Sequence, residues 1–143
     1  MGKVLIAVDE TAGSTSVLSV YKTMALGPES VVLVHVQRLK NTSMQTEKIM
    51  DFYKRELESV GPVRVKVLVR EGVPSEEILK AAREEKVDVI IMGRSASALR
   101  RMAAGRVVTK EVERAAPVPV LVALTGGREK SITYGWRGES YAA

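Results

Sequence analysis

VDVIIMGRSASALRRMAAGRVV, residues 87–108, holds two kinds of chain in one stretch. Val87, Val89, Ile90 and Ile91 have the composition of a strand buried on both faces. That run ends at Met92-Gly93, and from Gly93 to Lys110 there is no acid, while Arg94, Arg100, Arg101, Arg106 and Lys110 carry positive charge. Their five charges equal the formal net charge of the whole chain, +5. A glycine at the carboxyl end of a buried strand, followed by small residues and cations, is where an α/β protein would hold an anion. The same residues also fit an exposed basic loop wrapped round nothing.

The chain has 143 residues, the size of one domain that can close a core without metals or disulfides. It has no cysteine, which excludes disulfides, thiolate metal sites and cysteine nucleophiles together and fits a reducing compartment. No amino-terminal run has the layout of a signal peptide, and no apolar stretch is long enough to span a bilayer. The expectation is a soluble cytoplasmic protein with no membrane partner. Lys and Arg total 22 against 17 Asp and Glu, a mild excess without interleaved aromatics, so nucleic acid is not an expected partner.

Outward from the opening stretch, apolar runs alternate with helical periodicity. Residues 3–8 (KVLIAV) read as a buried strand with Asp9 at its carboxyl end. Ser14 is placed to cap a helix carrying Val17, Leu18, Tyr21, Met24 and Ala25, which Gly27-Pro28 stops. Residues 30–36 (SVVLVHV) form a second buried strand. A helix from about Met44 to Val60 then carries Ile49, Phe52, Tyr53, Leu57 and Val60 inward. Residues 63–69 (VRVKVLV) alternate apolar positions with Arg64 and Lys66, the pattern of a strand with one wet face, near a sheet edge. Gly72-Val73-Pro74 turns the chain, Ser75 is placed as a cap, and Glu76 and Glu77 suit the first turn of a helix running to about Lys86. A last helix runs from roughly Val107 to Ala115, and a fifth strand from Val118 to Ala123. Strands alternating with helices predict parallel βαβ units, a three-layer α/β domain with a five-stranded parallel sheet. The remainder, Thr125 to Ala143, lacks apolar periodicity yet holds Tyr134, Trp136 and Tyr141. It reads either as a mobile tail or as a segment docking its aromatics on a partner subunit.

The motifs narrow the choice among α/β folds. KVLIAVD (3–9), LVHV (33–36), Gly72-Val73-Pro74 with Glu77-Ile78, VDVIIMG (87–93) and PVPVLV (117–122) resemble the universal stress protein family in order and spacing. The resemblance covers residues 3 to about 124 as one domain, 1–124, with 125–143 as a carboxyl-terminal extension. It implies a Rossmann-like sheet of the adenine nucleotide alpha hydrolase type, order 3-2-1-4-5, with the ends of the first and fourth strands side by side at the topological switch point. It further implies a homodimer paired through Val118–Ala123, an uncharged edge that needs covering, with the tail folding back on that edge as the competing arrangement.

In ATP-binding members of that family the fourth strand is followed by Gly-x-x-Gly, nine residues, then Gly-Ser or Gly-Thr, whose amides and hydroxyl close on the phosphates. Aligned without gaps, this chain keeps Gly93, but Ala96, Arg106 and Val107 replace the second glycine, the third and the hydroxyl residue. A one-residue slip brings Gly105 into register and still leaves Arg106 in place of the hydroxyl. The adenosine side is better kept: Asp9 matches the carboxylate on the nucleoside and Val36 the position against adenine. The resemblance places Asp9, Val36, Met92, Gly93, Arg94, Arg106, Val107 and Val108 round any ligand, and each of Asp9, Val36 and Gly93 would also serve as a plain turn or core residue. His35 points away from Val36 by strand alternation and reads as packed or hydrogen-bonded. Two functions are consistent with this: a stress-response regulatory protein acting through unidentified protein partners, with a damaged triphosphate cradle and no fixed cofactor, or a sensor of ATP or another adenine nucleotide whose basic loop, residues 94–110, holds the phosphates. Catalysis is not expected, because Ser-Gly-Gly-x-Asp-Ser and His-x-Gly-His are both absent and Asp9 has no evident acid–base partner.

Overall fold

The computed structural model describes residues 2–8, 15–24, 27–37, 44–95, 108–125, 131–136 and 139–142. Along the chain they form β1 (Lys3–Ala7), α1 (Thr15–Met24), β2 (Ser30–Gln37), α2 (Met44–Val60), β3 (Arg64–Glu71), α3 (Pro74–Glu85) and β4 (Val89–Ser95), followed by α4 (Val108–Ala115), β5 (Val120–Thr125), β6 (Ser131–Trp136) and β7 (Glu139–Ala142). One sheet takes all the strands in the order β3-β2-β1-β4-β5-β6-β7. The five parallel strands stand in the expected order 3-2-1-4-5. Two antiparallel strands extend the sheet beyond it.

β1 is central because it can be buried everywhere. Val4, Leu5 and Ile6 are fully buried, and the strand pairs with β2 on one edge and β4 on the other. Its alternate side chains feed two cores. Val4 and Ile6 pack with Leu33 and Ile91 under α1 and α2, and Leu5 packs with Val34, Ile90 and Val120 under α3 and α4. At the amino end of β1 the Lys3 amide donates to Asp88 Oδ2 at 2.9 Å, and the Asp88 amide returns a bond to the Lys3 carbonyl at 2.8 Å. That reciprocal pair fixes the β1–β4 register before the ladder starts.

β3 is the sheet edge its alternation predicts. Lys66 and Arg70 lean onto α3, where Lys66 Nζ lies 2.6 Å from Glu85 and Arg70 bonds Glu84 and pairs with Glu77. The Lys66 hydrogen bond, with the Lys66 and Lys3 charges, holds the Glu85 carboxyl below its ordinary value against the opposing effect of burial.

Five expectations need correction. Phe52 and Val60 are about half exposed, at 48% and 47%, not core. At 100° per residue Phe52 falls a quarter-turn off the Met50–Tyr53–Leu57 stripe and meets Tyr53 only edge to face, and Val60 is the last residue of its helix. Ser75 does not cap α3: Val73 is the N-cap and makes no side-chain cap bond, Pro74 takes the first turn, and Ser75 is buried inside the helix. β4 does not end at Met92-Gly93 but runs to Ser95, because β5 supplies partners for Gly93, Arg94 and Ser95 after β1 has left. β5 starts at Val120 rather than Val118, since Pro117 and Pro119 have no amide to donate, although the Pro119 carbonyl accepts from Ile90 at 3.0 Å. Finally, the outer edge of β5, expected to pair with a second copy, is taken by this chain's own β6, with Val122 opposite Thr133. Ser14, the expected cap of α1, lies outside the described residues.

The turn from β3 into α3 depends on Gly72. Its φ of +140° is reserved for glycine, its amide bonds the Gln37 carbonyl at 2.9 Å, and an added Cβ would stand 3.1 Å from Glu77 Oε1. Gly72→Ala is expected to destabilise the fold by about 1–3 kcal/mol in urea titration with the slope unchanged. At the other end of α3, Lys86 sits in the left-handed region at φ 53°, its amide turned back to the Ala82 and Arg83 carbonyls. Lys86→Gly is expected to stabilise the fold in the same titration, by up to about 1 kcal/mol.

Candidate functional site

The carboxyl ends of β1 and β4 create a crevice by unequal length. β1 last pairs at Ala7 opposite Met92, whereas β4 keeps pairing with β5 for three more residues. On its β1 side, β4 therefore stands unpaired from Gly93 onward among the described residues. The helices α3 and α4 both follow strands and so both start at this end of the sheet.

Three residues named from the sequence gather on the α3/α4 face here. Met92 is buried in the core under those helices, and Val36 and Val108 are half-buried against the same core. Ala7 joins them. Sequence reading missed Ala7, although its two-residue offset from Leu5 was the available signal. Gly93 is half-buried, and Arg94 occupies the β4 position opposite Leu124. Asp9, Arg106 and Val107 lie outside the described residues. The described part of the site is thus a small apolar floor. Among the described residues no group of three histidines, cysteines or carboxylates could hold a metal ion.

Two polar contacts frame that floor. On the α3/α4 face, Ser75 Oγ donates to Glu111 Oε2 at 2.5 Å, tying the first turn of α3 to the first turn of α4. This places a carboxylate in a helix start that would otherwise favour an anion. On the opposite face, buried His35 puts Nδ1 3.0 Å from the Val8 carbonyl, so Nδ1 carries the proton and donates. The Val8 amide itself donates to the Val34 carbonyl at 2.9 Å. Held at both polar atoms, Val8 fixes the direction in which the chain leaves for Asp9. His35 is hydrogen-bonded structure, as its alternation predicts, and it acts on the site through backbone.

The model of the universal stress protein family matches residues 1–123. The chain belongs to the universal stress protein family. Over 86 residues it is 42% identical to universal stress protein MJ0577 of Methanocaldococcus jannaschii, a match spanning 59% of this chain and about half, 52%, of that protein. The solved structure of MJ0577 superposes with a TM-score of 0.72 at 30% identity, covering 89% of this chain and 97% of that one. A universal stress protein family protein from Arabidopsis thaliana, solved with AMP bound, gives a TM-score of 0.65 at 15% identity over 90% and 94% of the two chains. A universal stress protein in complex with cAMP gives 0.66 at 16% identity over 85% and 94%. Within the described residues no helix is long and apolar enough to cross a membrane.

His35→Leu removes the donor to a buried carbonyl at the mouth of the site. Thermal unfolding should report a loss of about 1–3 kcal/mol. His35→Asn, whose side-chain amide can still donate, should recover part of it, and equal losses in the two variants would argue for packing alone.

Proposed function

We propose that this chain is a stress-response regulatory protein whose switch-point crevice takes the adenosine part of an adenine nucleotide and holds its phosphates weakly. The observation that carries this reading is the apolar floor of Ala7, Val36 and Met92 where β1 stops and β4 continues. In the family pattern Val36 stands against the base and Asp9 against the nucleoside. The AMP and cAMP complexes of the relatives support an adenine ligand. Residues 1–124 are read as the ligand-binding domain, and the regulatory output goes to protein partners.

The phosphate side differs from the family cradle. Ala96, Arg106 and Val107 stand where two glycines and a hydroxyl residue would supply amides and an O–H. Arg94, Arg100, Arg101, Arg106 and Lys110 offer charge instead. Cationic side chains attract a phosphate but lose more to salt than a ring of fixed amides in a closed loop. A second reading, a dedicated nucleotide sensor, draws on this basic run.

Isothermal calorimetry with ATP·Mg, ADP and AMP tests both. The expected outcome is an ATP·Mg affinity weaker than low micromolar, that is, less favourable than about −8 kcal/mol. The affinity should fall further with added salt and several-fold with Arg106→Ala. Tight binding indifferent to salt and to Arg106→Ala would reject charge-held phosphates. Absence of binding by all three nucleotides would reject the adenine ligand and leave a regulator without one.

A further inference from the structure

The starts of α3 and α4 meet along one wall of the crevice. α3 begins on the β2 side, where the Gly72 amide bonds the Gln37 carbonyl at 2.9 Å, one residue beyond Val36. α4 begins on the β4 side, where Val108 packs against the core that holds Ala7, Val36 and Met92. Ser75 Oγ donates to Glu111 Oε2 at 2.5 Å and closes the space between the two starts. Glu111 lies three residues past Val108, and positions three apart share a helix face. Its side chain is accordingly on the side of α4 that faces α3 and the floor, where it is half-buried.

Glu111 is also the first acid after the basic run, in which no Asp or Glu occurs from Gly93 to Lys110. Two consequences oppose a phosphate at this place. The carboxylate offsets what the positive end of α4 would offer an anion. It also takes the single proton of the Ser75 hydroxyl, which is then not free to donate to a phosphate oxygen. Lys110, the last cation of the run, pairs with Glu113 at 3.7 Å and has its charge offset there. A neutral ligand on the apolar floor meets none of these costs. A ligand that carries phosphates meets them in proportion to its charge.

We propose that Glu111 sets the charge selectivity of the crevice: held by Ser75 where the two helix starts meet, its carboxylate opposes each phosphate that a ligand adds. The ligand class it favours is an adenine nucleoside or monophosphate over the triphosphate. This role rests on the adenosine seat proposed above and gives the discrimination to one residue. The glycines missing from the loop weaken the hold on phosphates, and Glu111 adds a cost that rises with their number.

Calorimetry with adenosine, AMP, ADP and ATP compares the full chain with Glu111→Gln, all in EDTA so that no divalent cation bridges carboxylate and phosphate. Glutamine keeps an oxygen for the Ser75 proton and removes the charge. Adenosine should bind both proteins equally, whereas the gain in Glu111→Gln should grow with phosphate number, to roughly tenfold for ATP. Added salt should shrink that gain. An equal gain for adenosine and ATP, or no gain for ATP, would overturn the assignment. Ser75→Ala frees the carboxylate without removing it, so ATP should bind about twofold tighter with adenosine unchanged. That variant answers if Glu111→Gln does not fold, and an unchanged or lowered ATP affinity in it counts against Glu111. If adenosine binds neither protein, the adenosine seat is wrong, and tripolyphosphate in EDTA decides on Glu111 alone. By thermal unfolding it should stabilise Glu111→Gln at concentrations several-fold lower than the unaltered chain, and equal responses would reject a role for the charge.

Discussion

The structure depends on the burial of β1. Val4, Leu5 and Ile6 have no exposed surface, so every peptide group between them must find its partner within the sheet. β2 and β4 satisfy that demand from either side, and helices must then cover both faces. The crevice follows as well. Once β1 meets the polar stretch that begins at Asp9 it no longer suits the interior, while β4 continues with β5 for support. An opening at the point where strand order reverses is thus a product of unequal apolar run lengths.

The polar contacts around that opening reinforce position more than they supply chemistry. The Ser75–Glu111 bond joins two helix starts, and His35 holds the last described peptide of β1. The described walls thus give an apolar seat held in place by backbone and helix-start bonds.

Much of the fold was legible because burial on both faces leaves continuous apolar runs, as in KVLIA, SVVLV and VII, while a single wet face leaves alternation, as in RVKVLV. What escaped was set by tertiary partners. The extension of β4 past Gly93 depends on β5, which is distant in sequence. Ser75 precedes two acids as a cap commonly does, yet Pro74 had already begun the helix, and the hydroxyl found Glu111 instead. The tail lacked apolar periodicity, and its two strands join the sheet by antiparallel backbone pairing outside β5. At the site, Val36, Met92 and Val108 were legible from the family pattern, whereas Ala7 was too small to attract notice.

The bracket between Lys3 and Asp88 spans 85 positions. Its length has a consequence for how the chain acquires its shape. The central strand is made before β4 and must wait for residues 88–92 before its second edge is closed. Until then KVLIA is paired along one edge only, with β2, in a half-built sheet. Late closure of an early strand makes the mean separation of partners long, and such topologies fold slowly and dwell in states with open edges. For this chain the vulnerable interval is synthesis, when chaperones that grip extended apolar segments would find their substrate in KVLIA before β4 has been made.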